Sequence, residues 1–93
     1  TIYVVRQENQ IVGFAEMMTH YLAGIFVKAG YRDQGIGSLL LFALKSDYSQ
    51  IRLNVYGKNA KAIRFCQKHD FDETDRAVDS DTGEVELTMK WQE

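Results

Sequence analysis

Between Tyr21 and Lys45 the chain changes character twice. The apolar run Tyr21 to Val27 gives way to the polar, glycine-bearing segment Gly30-Tyr31-Arg32-Asp33-Gln34-Gly35-Ile36-Gly37. That segment runs into Ser38-Leu39-Leu40-Leu41-Phe42-Ala43-Leu44-Lys45, rich in helix formers and closed by a lysine suited to a helix end. The succession predicts strand, tight loop and helix. A run as continuous as Tyr21 to Val27 predicts a central strand buried on both faces. A loop opening a helix presents free backbone N–H groups, and the helix dipole adds positive partial charge at the same place, which suits phosphate. Gly35 and Gly37 allow close backbone approach and positive φ, Arg32 supplies a guanidinium, and Lys28 can assist from the strand end. The dinucleotide fingerprint needs a third glycine where Leu40 stands, and a Walker loop needs Gly-Lys-Ser/Thr where Gly37-Ser38-Leu39 stands. Taken alone, the glycine pair fits an ordinary strand-to-helix turn equally well.

The flanking sequence completes an α/β pattern. Residues 1–6 and 11–18 are β-branched and aromatic runs separated by polar Gln7 to Gln10, which predicts a hairpin. Gln50 to Val55 reads as a strand joined to Tyr21–Val27 by a parallel crossover. Asn59 to His69 reads as a helix with Asn59, Ala62, Ile63 and Cys66 on one face. Phe71 to Val78 and Glu84 to Trp91 read as strands around the turn Asp79-Ser80-Asp81-Thr82-Gly83, the second alternating Val85, Leu87, Met89, Trp91 against Glu84, Glu86, Thr88, Lys90. The expected order is β-β-β-α-β-α-β-β, a mixed and mostly antiparallel sheet with two helices.

Composition narrows the class. Ninety-three residues with 45% hydrophobic side chains and a net charge of -2 suit one folded domain, 1–93, with no second domain expected. No apolar run is long enough for a membrane helix, and no signal peptide is visible. The lone Cys66 forbids an internal disulfide, and one thiol with two histidines gives no zinc spacing, so no metal site and a reducing cytoplasm are expected. Residues 28–68 carry eight basic side chains against two acidic ones, whereas residues 69–93 carry nine acidic against two basic. A basic centre in an acidic chain suits a local anionic ligand better than nucleic acid, although on charge alone two solvated faces account for it more readily.

Two spaced constellations then resemble the acetyl-coenzyme A binding half of the GNAT N-acetyltransferases over Leu22 to Phe71. The family's loop Gln/Arg-x-x-Gly-x-Gly/Ala is matched by Arg32-Asp33-Gln34-Gly35-Ile36-Gly37. Its later Asn-x-x-Ala-x-x-Phe-Tyr-x-x-x-Gly-Phe is matched at Asn59, Ala62, Phe65 and Phe71, with Cys66 in the tyrosine position and Asp70 in the glycine position. The resemblance implies acetyl-CoA as cosubstrate and a primary amine as acceptor, on a small molecule or a protein. Its pyrophosphate would lie on the amides of Gln34, Gly35, Ile36, Gly37 and Ser38, with Arg32 and Asp33 beside them. Its pantetheine arm would lie along Ile25, Phe26 and Val27, with Asn59 and Phe65 as further contacts. The family usually has another strand and two helices before the first strand seen here. A fragment, or a minimal form pairing its Thr1–Arg6 edge with a second copy as a homodimer, is therefore expected.

Direct attack of an amine on the thioester in a ternary complex needs a proton acceptor, oxyanion stabilisation and a proton for the leaving thiolate. The family's proton donor is the tyrosine replaced by Cys66, whose thiol has the acidity for the task but less reach. Cys66 could instead be acylated with His69 assisting, or simply pack as a small hydrophobe. Glu16 is the base candidate, with His20 the other titratable group before the loop, although each reads more readily as an ordinary exposed polar residue and water could relay the proton; Tyr31 and Tyr56 read as packing residues. A non-catalytic module that binds coenzyme A or mediates self-association is the alternative.

Overall fold

The computed structural model describes residues Thr1 to Glu93. The expected element order is the one found: β1 (Ile2–Gln7), β2 (Gln10–Met18), β3 (Tyr21–Val27), α1 (Ile36–Asp47), β4 (Gln50–Tyr56), α2 (Ala60–Lys68), β5 (Asp72–Val78) and β6 (Val85–Gln92). These six strands and two helices form two compact units, 1–49 and 50–93. No helix is long and apolar enough to cross a membrane.

In the first unit β1, β2 and β3 form an antiparallel meander. Glu8 and Asn9, at φ of 50° and 66°, turn β1 into β2. Two positive φ values in a two-residue loop match the right-handed twist of the strands it joins. Val5 pairs with Gly13 and Arg6 with Ile11, so Val12 bulges out of the ladder, and Val12 and Gly13 are both buried although adjacent. Helix α1 lies over the Gly13 face of this sheet. A Cβ on Gly13 would stand 2.7 Å from Ile36 Cγ2 and 3.5 Å from Leu40 Cδ1, so the close packing of helix on strand depends on glycine here. Ile36, Leu40, Leu41 and Leu44 are the helix's buried residues and close the core over Val12, Ala15, Met17 and Leu22. Each such leucine contributes about 2 kcal/mol by leaving water.

The expectation that Tyr21–Val27 is buried on both faces is wrong. Leu22 alone of that strand is buried, and Phe26 is 47% exposed. The register explains why: Phe26 pairs with Phe14, and Phe14 with Val4, on the face away from Gly13 and α1. That face carries an open apolar surface in which the Phe14 and Phe26 rings stack at 5.5 Å.

In the second unit β6, last in sequence, pairs antiparallel with both β4 and β5. Its alternation places Leu87 and Met89 in the core with Ile51 and Leu53 of β4. Strand β5 is exposed throughout, and Arg76 holds Glu73 by two 2.7 Å hydrogen bonds on it. Phe71, expected to begin this strand, precedes it and is almost fully buried.

Helix α2 is closed at both ends by its own chain. Asn59 caps its start, Oδ1 accepting from the Ala62 amide at 3.2 Å. At its end the Asp70 amide donates to the Gln67 carbonyl and the Phe71 amide to the Cys66 carbonyl, each at 3.0 Å. This paired 5→2 and 6→1 arrangement is the Schellman motif, which needs a left-handed residue just past the cap. Asp70 fills that place at φ 68°. The aspartate standing where the family pattern has glycine thus preserves the backbone geometry at some conformational cost.

Candidate functional site

The first unit builds a loop between the end of β3 and α1. The Tyr31 amide donates to the Lys28 carbonyl, closing a turn in which Gly30 has φ 90°. Asp33 and Gly35 follow at φ 63° and 80°. These reversals bring the chain to α1, where Gly35 is the N-cap and accepts the first helical hydrogen bond from Leu39. The helix begins two residues before the expected Ser38. Gly37 lies within its first turn and does not take positive φ, so the flexibility expected of both glycines belongs to Gly35 alone.

Gly35 cannot cap the helix with a side chain, and the first turn of α1 holds no acidic residue. A Cβ built on Gly35 or Gly30 would meet no heavy atom within 4 Å. The surroundings therefore do not crowd a side chain out; the backbone angles are what call for glycine, and the space beside it is open. Arg32, Asp33, Gln34 and Gly35 are exposed, Gly37 and Ser38 half-buried, and Ile36 is buried under the helix. The Arg32 Nε donates to the Val27 carbonyl at 3.4 Å, bending the guanidinium back toward the strand end, and Gln34 Nε2 donates to the Gly30 carbonyl at 3.3 Å. The helix dipole adds positive partial charge at this start, beside the Arg32 guanidinium.

Lys28 does not point to this opening. Its Nζ donates to Gln10 Oε1 at 2.6 Å, and Gln10 Nε2 donates to the Tyr31 hydroxyl at 2.7 Å. Tyr31 is thus more than a packing residue, and Gln10 was not legible as part of the loop because strand pairing, not sequence proximity, brings it there. On β3, Ile25 and Phe26 are exposed and Val27 is half-buried.

Glu16 is exposed on β2, on the face away from α1, paired with Ile2 and Gly24. Beside it the ladder jumps from Glu16–Gly24 to Met17–Leu22, leaving Ala23 as a bulge on β3. His20 instead sets its ring edge-on to Tyr48, centroids 6.2 Å apart.

In the second unit Asn59, Phe65 and Cys66 sit on or at the start of α2. Asn59 uses its oxygen as the helix cap. Phe65 packs its ring against His69, centroids 4.7 Å apart. Cys66 is buried, and desolvation pushes its thiol above the ordinary range, which keeps it protonated and opposes a nucleophilic thiolate. Tyr56, read as a packing residue, also has a polar role: its hydroxyl donates to Asp79 Oδ2 at 3.1 Å. That bond holds the phenol above its usual range. The Asp79 carboxyl is held below its own, first by the Asp81 amide and then by Tyr56.

Residues 1–73 match the model of the GNAT acetyltransferase domain. The chain is 30% identical over 90 residues to the peptidyl-lysine N-acetyltransferase YiaC of Escherichia coli, covering 96% of this chain and 62% of YiaC. It therefore spans less than two thirds of that relative's length. The solution structure of apo YjaB from E. coli superposes with a TM-score of 0.85 at 26% identity, over 97% of this chain and 63% of YjaB. A Bacillus anthracis structure solved in complex with acetyl coenzyme A superposes at 0.82 and 23% identity, over 99% of this chain and 61% of the other. With the domain model matching 73 of 93 residues, the chain belongs to the GNAT acetyltransferase family.

Proposed function

We propose that this chain binds acetyl-CoA through residues 32–38 and transfers the acetyl group to a primary amine, a lysine side chain being the favoured acceptor class. One observation carries the reading: Gly35, left-handed and open to solvent, stands at the start of a helix whose first turn holds no acidic residue. The amides of Gln34 to Ser38, with Arg32 beside them, would receive the pyrophosphate, and Ile25, Phe26 and Val27 would receive the pantetheine arm. The acceptor class is drawn from the likeness to YiaC, which acts on peptidyl lysine.

The roles of Asn59 and Phe65 toward the arm rest on the motif match. Glu16 is proposed to accept the amine's proton. The acid position falls on Cys66, a thiol that burial keeps in the protonated state a donor must start from. Burial at that position also supports a second reading, a module that binds coenzyme A without turning over.

Calorimetry with coenzyme A tests the first step. Gly35→Glu places a β-carbon in a left-handed residue and a carboxylate in the anion's place. Binding should weaken by at least about 100-fold, through strain and like-charge repulsion together. Unchanged affinity in a folded variant would sink the placement. Thiol release from acetyl-CoA with a panel of amines and lysine peptides separates the two readings: binding without release leaves only the module.

A further inference from the structure

Three side chains outside the proposed phosphate contacts form a continuous polar link across the first unit. Gln10, half-buried at the start of β2, accepts from Lys28 Nζ and donates to the Tyr31 hydroxyl. The orientation of its amide is fixed by chemistry. An ammonium only donates, so Oε1 must face Lys28, and Nε2 is left to meet the phenolic oxygen. Lys28 and Tyr31 are also the two ends of the turn closed by the Tyr31 amide and Lys28 carbonyl. The same turn is tied a third time to the sheet, because the Lys28 amide donates at 2.8 Å to the carbonyl of Val12, the bulged residue of β2. One glutamine thus spans a turn from outside and fixes it to a strand with which it is not continuous in sequence.

We infer that Gln10 is a positioning residue: it sets the Lys28–Tyr31 turn so that the following loop delivers its amides to the pyrophosphate. The inference rests on the reading of residues 32–38 as the coenzyme A loop. Its physical ground is that the turn and the loop after it contain two exposed glycines, Gly30 and Gly35, and a left-handed Asp33, a sequence with little stiffness of its own. A chain this free must be held somewhere to present a fixed array of donors, and the cost of ordering it is otherwise taken from the affinity. The side chain of Gln10 makes no part of the opening itself. Its effect should fall on cofactor binding and on loop order, with acceptor binding and the chemical step left alone.

Three variants separate this from a general structural role. Gln10→Leu keeps the volume and loses both bonds. Gln10→Glu keeps both, since a carboxylate accepts from the ammonium and from the phenol alike. Tyr31→Phe loses one. Gln10→Leu is expected to weaken coenzyme A binding by about fivefold to tenfold, the scale of two solvent-accessible hydrogen bonds. Tyr31→Phe should weaken it by about twofold to threefold, on the scale of one such bond. Gln10→Glu should match the unaltered chain. Amide hydrogen exchange over residues 31–37 of the ligand-free chain should quicken in the same order, while the KM for the amine and kcat at saturating acetyl-CoA stay constant. If Gln10→Leu does not fold, Tyr31→Phe and Gln10→Glu carry the test alone. Equal affinity and exchange in Gln10→Leu or Tyr31→Phe and the unaltered chain overturns the positioning role by itself. So does a Gln10→Glu variant that loses affinity or loop order. An unaltered chain that does not bind coenzyme A overturns the reading of the loop, and the positioning role with it.

Discussion

The two helices of this chain begin in opposite ways. Helix α2 starts with Asn59, whose side chain occupies one of its first amides, and ends in a Schellman turn that satisfies its last carbonyls. Helix α1 starts with Gly35, which has no side chain to offer, in open space and without an acidic residue in the first turn. The first helix relies on something other than its N-cap to meet its orphan donors, while the second is sealed by its own sequence. A helix start capped by a left-handed glycine is what the proposed binding position has and the α2 start lacks. The family match and Arg32 beside the loop are what support acetyl-CoA as the proposed ligand.

The comparison breaks most directly at Gly35, where the loss of coenzyme A binding in Gly35→Glu is the largest effect expected anywhere in the chain. A serine at this position sharpens it. Gly35→Ser supplies a capping hydroxyl and imposes a left-handed strain of about 1 kcal/mol. Affinity should fall by about tenfold, because the new hydroxyl competes with the anion for the same amides. If affinity holds, the open amides are not the ligand's.

At the sealed helix, two substitutions of Asn59 separate capping from ligand contact. Asn59→Ala removes the acceptor that holds the Ala62 amide and should cost about 1 kcal/mol in denaturant unfolding. Asn59→Asp keeps that acceptor and should preserve stability. Both lose the side-chain N–H donors, so both should weaken coenzyme A binding if Asn59 also serves the pantetheine arm. A stable Asn59→Asp chain with undiminished affinity would reduce this residue to a cap.

Much of this was legible in the sequence because the relevant signals are local. The continuous apolar run, the glycine loop and the leucine-rich segment located β3, the loop and α1, and the alternation of Val85 to Trp91 located β6 within one residue. What was missed depends on partners distant in sequence. Hydrophobicity along Tyr21–Val27 does not say which faces are covered, and the pairing of Phe26 with Phe14 left one face open. The start of α1 is expected late because Gly35 and Gly37 on either side of Ile36 read as loop, yet Ile36 is buried beneath the helix and anchors its first turn. Gln10 carries no local signal at all; a hairpin and a bulge bring it to the Lys28–Tyr31 turn.

Cys66 offers a pH-dependent test of how tightly α2 is closed. Burial raises its thiol pKa in the folded chain above that of the unfolded one. The fold therefore gains nothing from this group below the unfolded thiol's range. As pH rises through that range, the unfolded chain ionises first and stability falls. Cys66→Ala should remove this alkaline decline while costing about 1 kcal/mol at neutral pH for the lost buried sulfur. A decline that persists in Cys66→Ala assigns it to other groups, and a rate of acetyl transfer unaffected by the substitution assigns Cys66 to packing.

The smallest effect expected lies at Asp70 and points the other way. This residue holds φ 68° to complete the Schellman turn, a backbone state that costs an aspartate less than most residues but still costs it. Asp70→Gly removes that cost and restores the residue of the family pattern. Against it stands the greater freedom glycine brings to the unfolded chain, so the net gain should be only about 0.5 kcal/mol. The two carbonyls satisfied by the turn belong to Cys66 and Gln67, and neither loses its partner in the variant. Coenzyme A affinity should therefore stay constant while the unfolding midpoint rises slightly. A fall in stability would mean that the aspartate side chain supports the turn in a way its backbone angle does not require.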